Sequence, residues 1–534
     1  MRATTILTGI ALALPRLVYG QGGEAPAPVI DTVIIERDNV FLAEQAEGSF
    51  AAKAGNAIHP RTNSWVIQST ILFKAGDTLD MSRVQESERT LRALNVFQEV
   101  SIDTATRDGE LAVLIRTRDA WSLSPKFSIA GSSGSVTLTL GISEKNFLGT
   151  ASLFSIAYVK LVDRDGLDLA ARIPRFGTTR LAVGGTFQNL SAGNTGSWDA
   201  GVPYRAFPDP WAAQLFGNVA DELRFQFIQD GTGLDSLTYA HDLLSHRLTT
   251  SIAAQHSARR YLRLGVDLLV RTEEYVLQGG PPSTQPVTDT TTGTPGLTFD
   301  YRKSHFMTGR YFQGFGQGED IDLSPALAVT AWVAPEGFGY PRTGIGPEVR
   351  VSAGKEVGST VLVGSLEASG LFSGAGLDSG TVVFRGTWAT KLSQKQMMFV
   401  HFEAGAMKNQ APGSEFDLGL TYGPRTFGAH AFVGNRTLWG TLEYRNYKWD
   451  SVFGFLGIGY AWFVDYGGAW YDGQDRRFGG NAGVGLRLGS SIGSRASAAK
   501  IDVGYRFGPG FEGNRLGISF GASYDIFTGV LATQ

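Results

Sequence analysis

The stretch NRLGISFGASYDIF, residues 514–527, alternates with a period of two. In an extended chain Leu516, Ile518, Phe520, Ala522, Tyr524 and Ile526 share one face, and Arg515, Gly517, Ser519, Gly521, Ser523 and Asp525 share the other. The preceding segments repeat the pattern. Ile501, Val503, Tyr505 and Phe507 oppose Lys500, Asp502, Gly504 and Arg506, while Ala482, Val484, Leu486 and Leu488 oppose Asn481, Gly483, Gly485, Arg487 and Gly489. Segments of about ten residues with one apolar face and one face of glycine and charge suit strands between hydrocarbon and water. A soluble sandwich also alternates, so the pattern needs support from the rest of the chain.

The 534 residues carry a formal net charge of -3, 11% aromatic residues, 69 glycines and no cysteine. This balance offers no basic surface for nucleic acid, and the missing thiols exclude disulfides and cysteine-ligated metals. Residues 1–20 read as a signal peptide: Arg2, an apolar run over 3–14, then Val18 and Gly20 at the −3 and −1 positions of a cleavage before Gln21. Nowhere does the chain offer 18 consecutive apolar residues. If it spans a membrane, it must use strands.

Residues 29–120 read as a small α+β unit. The run VIDTVIIERDNVF from Val29 suits a strand, and 42–61 is a polar, small-residue insertion. In TNSWVIQSTILFKAGD (62–77) Thr62 or Asn63 can cap a helix that Gly76 terminates, and a second helix starts at Asp80 with Val84, Leu91 and Leu94 buried. FQEVSID and ELAVLIRTRDAW then form two strands around Arg107-Asp108-Gly109. The order β-α-α-β-β, with GDTLD (76–80) and ESERTLRALNVFQEVSI (86–102), resembles a POTRA domain. That is the periplasmic module of the BamA/TamA-type outer-membrane assembly superfamily.

From Trp121 onward no long helical pattern appears, and short alternating segments follow one another. The reading is a mainly β chain: a transmembrane antiparallel β-barrel over 121–527 after one small POTRA-like domain, with a C-terminal extension over 528–534. Segment counting gives about sixteen to twenty strands, and the resemblance favours about sixteen. The Thr-rich TQPVTDTTTGTPG (284–296) reads as a long extracellular loop.

The stretch FVDYGGAW (463–470) puts Asp465 on the polar face of a strand whose other face carries Trp462, Val464, Tyr466 and Trp470. In GNRTLWGTLEYR (434–445) Glu443 faces the same way, so two neighbouring strands each send a carboxylate into the lumen. A buried carboxylate pair needs a cation, and Arg425 in the preceding loop can supply it. These passages, with SEKNFLGTA (143–151), are similar to the superfamily's Gly-Asp-Arg…Glu-Tyr-Arg and Phe-Val-Asp-x-Gly strands and its first periplasmic turn. The resemblance implies a sixth extracellular loop folded into the lumen. Its tip falls on Arg425-Thr426-Phe427, with the arginine held by Glu443 and Asp465. Thr426 stands where the family has glycine, and a β-branched residue does not readily take φ > 0. Ser519, Gly521, Tyr524 and Ile526 resemble a C-terminal β-signal, which implies that the chain is itself assembled by this machinery.

Catalytic readings find little. Gly489-Ser490-Ser491-Ile492-Gly493 matches G-x-S-x-G but lies between barrel strands, not at a strand-to-helix elbow. The seven histidines are scattered, and the reading expects no enzyme, cofactor or metal. The resemblance implies a protein of the bacterial outer membrane, with its POTRA-like domain in the periplasm, that assembles or inserts polypeptides. Its partners would be the lipid bilayer, unfolded client polypeptides, and periplasmic chaperones or assembly-complex subunits. The domain would receive clients, and the junction of first and last strands would template insertion. The alternatives are a two-partner-secretion-type polypeptide transporter, which usually carries a plug helix and two POTRA domains, and a passive pore. An outer-membrane lipase ranks third.

Overall fold

A computed structural model describes residues 28–107, 110–132, 134–230, 233–280, 289–315, 318–420, 422–452, 456–490, 498–509 and 514–522. The signal-peptide reading, the C-terminal extension, Ser491, Tyr524 and Ile526 lie outside these residues.

The N-terminal module is a three-stranded sheet, with Thr32–Asp38 parallel to Glu110–Asp119 and Phe97–Arg107 antiparallel at the other side of the central strand. Ile30, Ile67, Phe73, Val84, Leu91, Ile102, Val113 and Ile115 form its core. Helix Met81–Ala93 starts as its sequence predicts, with Asp80 accepting from Ser82 N at 2.8 Å. Two expectations are corrected. The stretch 42–61 contains helices Ala43–Glu47 and Phe50–Ile58, the latter capped by the Ser49 side chain. The expected helix after Asn63 runs only over Ser64–Gln68: beyond it Leu72 N donates to Ser87 Oγ at 2.9 Å in place of a helical carbonyl, and the Asn63 side chain donates to Leu148 O and Gly149 O, each at 3.0 Å, where it does not cap the helix.

Among the described residues, twenty antiparallel strands close a barrel, from Leu123–Ser132 to Leu516–Ala522. The count exceeds the expected sixteen because two features hide strands. Ala182–Leu190 and Gly193–Val202 alternate poorly, since glycine occupies positions on both faces. Further on, the supposed loop 284–296 belongs from Asp289 to strand Asp289–Lys303, paired with Arg260–Gly279. Threonine is a good strand former. Pro295 is tolerated because pairing to Ala326–Ala334 begins only at Gly296, which leaves its other side an edge.

Outward positions are apolar and exposed around the wall: Ile142, Ile156, Leu248, Leu362, Phe402 and Trp462. Inward positions on the C-terminal strands are polar and buried, including Asp465, Asn481, Arg487 and Asp502. Among the described residues no helix is long and apolar enough to cross a membrane. The barrel begins beside the module, so links such as 148–151, 174–181, 203–210 and 304–325 lie at the module end, and 409–435 lies at the far end. Contacts agree: Glu86 accepts from Phe207 N at 3.0 Å, and Arg175 donates to Ser69 O.

The junction between module and barrel centres on Asp119. Its carboxylate accepts from Thr62 N at 2.6 Å, while Asn146 donates to Thr62 Oγ1 at 2.9 Å. Burial pushes the Asp119 carboxyl up to about 6. Nearby His59, at 3.9 Å, is lowered by its own burial. A folded-state value above the unfolded carboxyl's ~3.9 means that the folded junction binds this proton more tightly. Stability from Asp119 is therefore fully present below about pH 4 and lost as pH rises through 6. His59 has the opposite sign, with stability present above its unfolded value near 6.5 and lost as pH falls. In Asp119→Asn only the histidine part remains. Hydrogen exchange at the Thr62 and Asn63 amides, compared between the two proteins at each pH, should show wild type losing ground between pH 4 and 6. The slope should approach about 1.4 kcal/mol per pH unit. A difference independent of pH refutes this role for Asp119.

Candidate functional site

The far-end loop 409–435 folds back into the barrel. It carries the small hairpin Phe416–Leu418 with Phe432–Gly434. Leu420 and His430 take left-handed backbone at φ 56° and 58° to make its turns. At its tip Pro424-Arg425-Thr426-Phe427 reaches the inner wall.

Arg425 is buried among inward side chains of four strands. On Leu456–Trp470, Asp465 accepts from Arg425 Nε at 2.8 Å, Nη2 at 2.9 Å and the backbone N at 3.1 Å. On Arg436–Val452, Glu443 Oε2 accepts from Nη1 at 2.6 Å and Thr441 Oγ1 from Nη2 at 2.9 Å. On Ala499–Phe507, Asp502 Oδ2 lies 3.4 Å from Nη1. The guanidinium also lies over the Phe463 ring, 4.1 Å from its centroid. Asn481, with its amide turned to match its neighbours, donates to Asp465 at 2.9 Å and accepts from Arg425 N and Thr426 N at 3.2 and 3.3 Å. The donors of one planar group are thus met by a fixed set of acceptors, which an ammonium could not reproduce.

Sequence reading did not assign the rest of the network. Arg445 Nε donates to Glu443 Oε1 at 2.6 Å, and Arg487 Nη2 donates to the same oxygen at 2.8 Å. Arg487 Nη1 donates to Asp502 Oδ1 at 2.6 Å, and Lys500 lies 3.9 Å from Asp502. All these residues sit on the polar faces that alternation marks out. What alternation could not supply is the register that brings them to one height.

Phe427 is fully buried with Leu418, Phe432, Trp439 and Ala469. Thr426 is not among the residues with positive φ, so the strain expected of a β-branched tip residue does not arise. Room for it comes from glycines opposite. A Cβ on Gly504 would lie 3.1 Å from the Thr426 methyl, and one on Gly517 2.9 Å from Thr426 Cβ. The rest of the loop crosses the lumen mouth. His430 stacks on Phe227 with centroids 3.6 Å apart, and Glu415 accepts from Phe227 N at 2.6 Å.

Of the four expected β-signal positions, Ser519 is buried and inward, and Gly521 lies at φ 144° beside Ala130. Among the described residues, the last strand meets the first at two pairs, Ser519–Ser132 and Phe520–Gly131. The last strand's other side pairs over Leu516–Ala522, in seven pairs.

No family model matches the chain, and no curated protein matches it. Solved structures to which it is similar include BamA from Haemophilus ducreyi lacking POTRA domains 1–3, at 12% identity and a TM-score of 0.40, covering 92% of this chain and 84% of that one. CdiB from Escherichia coli is similar at 11% identity and a TM-score of 0.46, covering 95% of this chain and 92% of that one. The FrpB iron transporter from Neisseria meningitidis is similar at 9% identity and a TM-score of 0.40, covering 92% of this chain and 92% of that one. With TM-scores of 0.40 to 0.46, these likenesses assign no function to the chain.

Proposed function

We propose that this chain is a bacterial outer-membrane β-barrel that assembles or inserts polypeptides into that membrane. Its N-terminal module, read as a single POTRA domain in the periplasm, receives unfolded clients. The junction of first and last strands offers an edge on which client strands form. The apolar outer belt supports the membrane assignment, since closed barrels satisfy every strand hydrogen bond within lipid. The topology of the junction carries the functional reading. Ser519–Ser132 and Phe520–Gly131 join the last strand of the wall to the first, so parting them frees a strand edge without breaking any connection between consecutive strands. Client strands would supply the hydrogen bonds of the parted edge, so folding itself drives the step and no catalytic residue or cofactor is assigned. Lumenal locking by Arg425, Phe427, Glu443 and Asp465 keeps the barrel in one shape while the seam works. A second reading, a polypeptide transporter, is favoured by one observation: besides the far-end loop, the module-end link packs Phe312 and Leu323 among Val361, Val363 and Phe399 of the inner wall, so segments from both ends occupy the lumen, as a gated conduit requires.

Cysteines at Ser132 and Ser519, directly opposite in the seam and in a chain without other thiols, test the choice. Oxidation should abolish client assembly by proteoliposomes while the heat-modifiable folded band persists, and reduction should restore activity. Full assembly with a complete cross-link rejects seam templating, and polypeptide secretion through the locked barrel selects the transporter.

A further inference from the structure

The lumen is also entered from the module end. Between strands Asp289–Lys303 and Ala326–Ala334 the chain does not turn tightly. Residues 304–315 and 318–325 run inward as two arms joined by the pairing Phe306–Asp322 to Gly309–Glu319. Tyr311, Phe312, Phe315, Ile321 and Leu323 pack against Val361, Val363, Ala389, Met397, Phe399 and Tyr447 of the inner wall. That wall is apolar, in contrast to the charged wall above it, and would be wetted without a cover. The seat for Phe315 is cut to shape: a Cβ on Gly457 or Gly489 would lie 2.4 or 2.6 Å from its ring.

Polar ties also join the arms to the wall, among them Tyr311 Oη donating to Asp450 at 3.1 Å and Ala498 N donating to Gln313 O at 3.1 Å. Lys391 donates to Tyr311 O at 2.6 Å, and both Arg445 Nη1 and the Tyr447 hydroxyl donate to Phe312 O at 3.2 Å. Arg445 also holds Glu443, so the same guanidinium touches this segment and the network around Arg425. At the mouth the arms meet the module. Arg92, in the last turn of helix Met81–Ala93, donates to Asp320 at 2.9 Å, and Arg89 lies 5.1 Å from the Phe306 ring centroid. A cleft of about 460 Å³ separates the arms from the module sheet, lined by Arg92, Gln98, Val100, Arg118, Thr308 and Asp320.

We propose that residues 304–315 and 318–325 form an inner gate over the apolar lumen wall, held shut by the module through Arg92 and Asp320. A polypeptide strand that joins the module at Phe97–Arg107 would border this cleft and compete for Arg92. Client arrival would then release the gate. Only this last step rests on the function proposed above, since the hold itself is independent of any client.

The test uses the full chain with Val363→Cys, a wall position beneath the gate, and a membrane-impermeant maleimide on the folded, detergent-solubilised protein. Labelling should be slow in this parent. It should rise at least tenfold in Asp320→Arg, which sets two guanidinium groups against each other, and fall back when Arg92→Glu is added. Phe315→Ala, which leaves the module contact intact and loosens the seat, should also speed labelling and serves if the charge variants fail to fold. Labelling of the parent as fast as the unfolded chain would show that nothing covers the wall. Unchanged labelling in Asp320→Arg would show that the module does not hold the segment. Either result overturns the proposal, and neither bears on the seam.

Discussion

Arg425→Ala should lower the temperature at which the folded barrel converts to its unfolded gel band and should open loop 409–435 to protease. The free-energy cost expected is that of removing one partner from a buried ion network, about 3–5 kcal/mol, reduced where lumenal water reaches the site. Geometry says which carboxylate suffers. Glu443 keeps Arg445 and Arg487, and Asp502 keeps Arg487 with Lys500 nearby. Asp465 has Arg425 as its described cation, supported by the Asn481 amide and backbone N–H. The variant therefore strands one carboxylate. Adding Asp465→Asn removes that stranded charge, so the double variant should be markedly less damaged than the sum of the singles and no worse than Arg425→Ala alone. Arg425→Lys should fall between, because one ammonium cannot bridge Asp465, Glu443 and Thr441 together. Additive losses would mean that Arg425 and Asp465 do not share one interaction.

The pairing of these residues was legible because strand alternation is strict where the outside is lipid-like and the inside polar. Glu443 and Asp465 could be put on one face from spacing alone, and the need for a cation followed from the cost of burying charge. Asp502, Arg445 and Arg487 were on the correct faces too. Only register, fixed by hydrogen bonds between strands distant in sequence, places them around Glu443 and Arg425. The strand count failed where faces lose contrast. In Gly193–Val202, glycine and small polar residues occupy both sides and no period shows. The segment 304–325 was illegible for a different reason. Its aromatic and glycine residues suit a loop, and its burial depends on a wall assembled from strands that follow it in the chain. Thr426 carries a related lesson. A family pattern suggested strain at the tip, but two glycines on the last two strands absorb the extra side chain, and no single-position rule sees that.

Glu443→Gln should be the most damaging isosteric change in the barrel interior, exceeding Arg425→Ala. Glu443 is fully buried and accepts from three guanidinium groups, at 2.6 Å from Arg425, 2.6 Å from Arg445 and 2.8 Å from Arg487. The described cluster holds four cations, Arg425, Arg445, Arg487 and Lys500, against three carboxylates, Glu443, Asp465 and Asp502. Glutamine removes one negative charge where the cations already outnumber the anions. Its amide also turns donors toward donors, whichever way it is set. The cost should be at least the about 3–5 kcal/mol of a broken buried pair, because Arg445 loses its described carboxylate while Arg425 and Arg487 each lose one of theirs, keeping Asp465 and Asp502. Glu443→Asp keeps the charge at a shorter reach and should be milder. Adding Arg445→Met to Glu443→Gln should recover part of the loss, since an apolar chain of similar length relieves one uncompensated cation. The damage should also appear at both ends of the lumen. Arg445 ties Glu443 to Phe312 O of the module-end segment, while Arg425 ties it to the far-end loop. Limited proteolysis should therefore find cleavage in 409–435 and in 304–315 together, whereas Arg425→Ala should expose only the first. Cleavage confined to one segment, or a smaller thermal shift than in Arg425→Ala, would show that Glu443 does not join the two.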